Sequence, residues 1–65
     1  MASTRIAEAR RVHQAKLAER QILHRDALAK ARTHEEVEQL DEELRRDLER
    51  FAADRDRKIE EIRRG

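Results

Sequence analysis

The chain has no cysteine, proline, tryptophan or tyrosine, a single phenylalanine, and a single glycine at Gly65. Without cysteine there is no disulfide framework and no thiolate zinc site. With so few turn-forming, aromatic and β-branched residues, a sheet has little to be built from. Apolar runs stop at three residues, as at Phe51-Ala52-Ala53, whereas a membrane span needs about 20 in succession. Hydroxyls are confined to Ser3, Thr4 and Thr33, each placed where a helix start would use it as a cap. There is no His-Glu-x-x-His pattern and no glycine-rich phosphate loop. These absences argue against an enzyme, a cofactor, a metal site or a small-molecule substrate, and against membrane association. Nothing in the sequence directs the chain elsewhere, so a cytoplasmic location is the default expectation.

What is present is charge and helix-forming residues. Of 65 residues, 48% are charged and 37% hydrophobic, with a net charge of +1. That near-neutral total conceals two opposite halves. Residues 1–33 hold eight bases (Arg5, Arg10, Arg11, Lys16, Arg20, Arg25, Lys30, Arg32) and three acids (Glu8, Glu19, Asp26), a balance of +5. Residues 34–65 hold eight bases and twelve acids, a balance of −4, with eight of those acids in 35–49.

Ala, Leu, Glu, Arg, Gln and Lys dominate, all good helix formers. In the second half the apolar positions Val37, Leu40, Leu44, Leu48, Phe51, Ile59 and Ile62 form one stripe, interrupted only by Arg55. Val37, Leu48 and Ile59 repeat every eleven residues, as do Leu40, Phe51 and Ile62. Eleven residues over three turns is about 3.67 per turn, which suits nearly straight packing. Ile6, Leu17 and Leu28 carry the same interval in the first half, with Val12 and Leu23 on a flank.

The pattern predicts an all-α, coiled-coil-like antiparallel hairpin: helix 1 over about 4–32, a turn near 32–34, and helix 2 over about 34–63. Thr33 and Glu36 match a capping box, in which the threonine oxygen accepts from the N3 amide and the glutamate reaches back. Glu35 and Glu36 would lie in a first turn and Lys30 and Arg32 in a preceding last turn, as the helix dipole favours. A continuous rod is the alternative, because no Gly or Asn is available to end helix 1 in a left-handed cap. The charges favour folding back, since residue i then lies near residue 66 − i and acidic 35–49 lies along basic 16–32. Ile6, Leu17, Leu28, Val37, Leu40, Leu44, Leu48, Phe51, Ile59 and Ile62 are the expected hairpin seam.

Thirteen sizeable apolar residues besides Met1 are few for a chain of this length, and so small a domain is marginal alone. Further helices would make up the shortage. On the side of helix 1 away from the seam, Ala15, Ala18, Ile22 and Ala29 would let another helix approach. Small residues there also serve helix propensity alone; Ile22 among them is what suggests a contact face. Arg11, Gln14, Gln21, Arg25 and Arg32 form a second face with no acid among them, suited to phosphate and base-edge contacts. It lacks any aromatic for base stacking, and an ordinary solvated face looks the same. His13 and His24, eleven apart, cannot share a metal ion. They are expected at the seam edge, His13 near Asp54 and His24 near Glu42 or Glu43. Arg55 is expected either to pair with Glu8 across the seam or to snorkel to water.

The functional expectation is a non-enzymatic protein–protein interaction module. It would self-associate into a homo-oligomer and helical bundle, or dock on another helical protein through helix 1. The alternative is a small nucleic-acid-binding regulator using the Arg/Gln face.

Overall fold

The computed structural model describes residues 2–65; Met1 lies outside them. Two helices, α1 (Ala2–Lys30) and α2 (His34–Arg64), pack against each other as an antiparallel hairpin. The Cα framework measures 49 × 15 × 8 Å, a slab two helices wide and one deep. No helix among the described residues is long and apolar enough to cross a membrane.

Thr33 makes the turn. Its backbone is extended (φ −128°, ψ 158°), and its Oγ1 accepts from the Glu36 amide at 3.1 Å. Glu36 reaches back one residue further than the simplest capping box: its Oε2 accepts from the Arg32 amide at 2.8 Å. The Val37 amide donates to the Thr33 carbonyl at 3.2 Å and starts the α2 ladder. Helix α1 ends at Lys30, two residues earlier than its composition suggested, because those flanking residues serve the cap. Lacking a glycine there, it closes with a tight Ala31 amide to Leu28 carbonyl bond at 3.1 Å, and no described residue has positive φ.

The helices differ in kind. On α2 the apolar residues are gathered on one face, while on α1 they are spread around the axis. The face α1 turns to α2 carries Ile6, Ala9, His13, Leu17, Arg20, His24, Ala27 and Leu28, continued by Ala31 just past its end, all buried or half-buried. These fall into three interleaved tracks of eleven: Ile6–Leu17–Leu28, Ala9–Arg20–Ala31 and His13–His24. Among the apolar residues described, only Ile59 and Ile62 are buried; Val37, Leu40, Leu44, Leu48 and Phe51 are half-buried along α2.

Two cross-helix contacts fix the register. Arg20 Nε donates to Asp47 Oδ2 at 2.6 Å, and His24 Nε2 lies 3.1 Å from Asp41 Oδ1. They bracket the 66 − i relation from either side. His24 thus meets Asp41, the residue just before the Glu42 and Glu43 that the hairpin register suggested. His13 is not at the seam edge. It is 8% exposed in the middle of the packing face, and its Nε2 is buried without a partner.

Candidate interaction surface

Helix α1 has three large apolar side chains that α2 does not cover: Val12 is 51% exposed, Ile22 60% and Leu23 61%. They point two ways. Val12 and Leu23, eleven residues apart, share the flank where α1 borders one broad face of the hairpin. Ile22 lies at the back of α1, away from α2, with exposed Ala15, Ala18 and Ala29 around it. An azimuth of 100° per residue separates the two sets.

The broad face beside Val12 is not flat. A groove of about 580 Å³ runs between the helices near their open end, lined on α1 by Arg5, Glu8, Ala9, Val12, His13 and Lys16, and on α2 by Phe51, Asp54, Arg55, Lys58, Glu61 and Ile62, among others. Lys16 Nζ and Arg50 Cζ lie 5.9 and 5.8 Å from the Phe51 ring centroid. A shallower depression of about 410 Å³ lies nearer the turn, between Ala27, Lys30 and Ala31 and the Glu36, Gln39, Leu40 and Glu43 side of α2. His13, Asp54, Glu8 and Arg55 line the same groove; Arg55 donates to neighbouring Asp56 at 3.0 Å and forms no ion pair with Glu8.

Charge sharpens the contrast between the helices. Nearly every base on α2 is matched within α2 itself. Arg45 binds Glu42 and Glu49; Arg46 pairs with Glu42, Arg50 with Asp47, Arg57 with Asp54 and Arg64 with Glu60. The Arg45 hydrogen bond holds the Glu42 carboxyl below its usual range, and Glu42 and Glu49 raise the Arg45 guanidinium in turn. Of the lysines and arginines described on α1, only Arg20 meets a carboxylate. Its hydrogen bond lowers the Asp47 carboxyl against the opposing effect of partial burial. Among the described residues Arg5, Arg10, Arg11, Lys16, Arg25 and Lys30 form no ion pair, and neither does Arg32 in the turn.

Neither a protein-family model, nor a curated protein, nor a solved structure matches this chain. The surface must therefore be read from its own chemistry. Arg11, Gln14, Gln21 and Arg25 of α1 and Arg32 of the turn are all exposed. No group of three or more His, Asp or Glu among the described residues is arranged to hold a metal. The exposure of Val12 and Leu23 is what the seam assignment understated: placing them on a flank left open whether α2 would cover them. The signal was their own spacing of eleven, which repeats a second apolar track on the same helix.

Proposed function

We propose that the chain is a small helical interaction module whose α1 helix docks on another helical surface. The observation that carries this reading is the pairing of two deficits on one helix. Val12, Ile22 and Leu23 are more than half exposed while the buried apolar core is Ile59 and Ile62. The same helix holds cations that nothing in the hairpin neutralises. Apolar surface left in water costs roughly 25 cal/mol per Å² relative to burial, and unpaired bases around it supply the polar rim that interfaces use. The outer face of α2, with its charges already paired, offers neither.

The test is site-specific photo-cross-linking in the cells that make the chain. A photoreactive residue replaces Ile22 or Leu23, with Arg46 on the outer face of α2 as the control. The expected result is a discrete adduct from at least one α1 position and none from Arg46. The same diffuse background at all three positions would remove the reading.

A competing reading, nucleic-acid binding, draws on the unpaired guanidiniums of Arg11, Arg25 and Arg32 beside Gln14 and Gln21. It requires a mobility shift of DNA or RNA at about 50 mM salt that Arg11→Glu with Arg25→Glu abolishes. Absence of a shift at that salt would dismiss it.

A further inference from the structure

We infer that the surface which α1 engages is α1 of a second copy, laid antiparallel along the Val12–Leu23 flank, with Leu23 of each chain entering the groove beside Val12 of the other. This rests on the interaction-module reading and adds to it the occupant, the face and the direction.

Consider a two-fold axis across the middle of α1. It places position i over position 35 − i of the second chain, so Val12 lies on Leu23 and Leu23 on Val12. The level of Val12 is that of the 580 Å³ groove, whose lining includes Ala9, His13 and Phe51. That groove is open in the single hairpin, and its lining includes the apolar Val12, Phe51 and Ile62 among charged side chains of both helices. The same operation puts Lys16 over Glu19 of the second copy, and Glu19 over its Lys16. Both side chains are exposed and neither forms an ion pair within the hairpin. A parallel arrangement of the two α1 helices would set Lys16 on Lys16 and Glu19 on Glu19. Complementarity therefore selects the antiparallel one.

A third arrangement competes. With both turns at one end, α1 would lie over α2 of the second copy, with Arg5 over Glu61 and Lys30 over Glu36. Its charges match better at the ends, but Val12 and Leu23 then face Asp54 and Glu43. The antiparallel α1 pair has the opposite profile: its apolar residues match, and its like charges, Arg5 over Lys30, fall at the rim. Rim charges are screened by salt and contribute little, whereas four half-exposed apolar side chains are removed from water. The apolar match decides.

The experiment uses the full chain. Analytical ultracentrifugation at about 100 µM is expected to give twice the 7.8 kDa chain mass, an association that added salt strengthens or leaves unchanged. Leu23→Lys should raise the dissociation constant about tenfold or more, while Ile22→Lys changes it less than about threefold. Spin labels on His34→Cys, at the turn and off the docking flank, leave the interface intact. In the antiparallel dimer they should lie roughly 50 Å apart, from about 1.5 Å rise per residue on either side of the axis. A monomer at that concentration, equal weakening by Ile22→Lys, or labels within about 25 Å would each overturn the proposal. Those failures are distinct from failure of the module reading: a monomer whose Leu23 photo-cross-linker still captures a different protein keeps the module and loses the second copy.

Discussion

Arg20 and Asp47 meet across the helix pair at 2.6 Å, the one cross-helix contact between two full charges among the described residues. It is set in the seam, flanked by His13 and His24 on α1. Its position ties the basic half of the chain to the acidic half near the middle of the slab, where neither end can fray.

Because the Asp47 carboxyl is lowered mainly by the Arg20 hydrogen bond, it contributes stability above the ordinary aspartate range. That contribution is lost as pH falls through the lowered value. Urea midpoints measured from pH 7 downward should therefore fall below about pH 4. Asp47→Asn should lower the midpoint at pH 7 and flatten the acid limb. An unchanged limb in the variant would show that the fall has another source, such as Glu42, which Arg45 also lowers.

Thr33→Ala removes the acceptor for the Glu36 amide and should cost about 1 kcal/mol in denaturant unfolding. Thr33→Ser should recover most of it. Equal loss in both would place the effect in the methyl group instead of the oxygen.

His13 is buried with Nε2 unpartnered, and an unsatisfied buried polar atom costs roughly 1–3 kcal/mol. His13→Leu should therefore raise stability by about 1 kcal/mol, read as a higher urea midpoint at fixed protein concentration. A lower midpoint would mean that the imidazole has a partner in solution.

Ile62, 4% exposed, is the most buried apolar residue among those described. Ile62→Ala should cost about 2–4 kcal/mol, read as a fall in thermal midpoint. Ile22→Ala, on an exposed side chain, should stay within about 0.5 kcal/mol in the isolated chain.

The hairpin and its turn were legible because three local signals agree on one place. Thr33 caps, Glu35 and Glu36 favour a helix start, and the charge balance changes sign. On α2 the apolar stripe coincides with the packing face, so its residues could be named directly. On α1 Ile6, Leu17 and Leu28 could be named and His13 and His24 set at the seam edge, but Ala9, Arg20 and Ala31 could not, although they share the face toward α2. Hydrophobicity ranks those residues as surface, and only their interval of eleven marks them as seam. Of the two fates expected for Arg55, a pair with Glu8 across the seam or a guanidinium reaching out of it, the first is not formed: its flexible side chain reaches Asp56 next door.

The tracks of eleven have a consequence for length. Three turns return the chain almost to its starting azimuth, about 16 Å further along the axis. Adding or removing eleven residues in both helices would therefore move the open end by that step while every remaining side chain kept its neighbour. A five-residue change would instead turn the two faces by about 140° and break every one of those contacts. The hairpin is in this respect a ruler graduated in three-turn units, with its zero at Thr33.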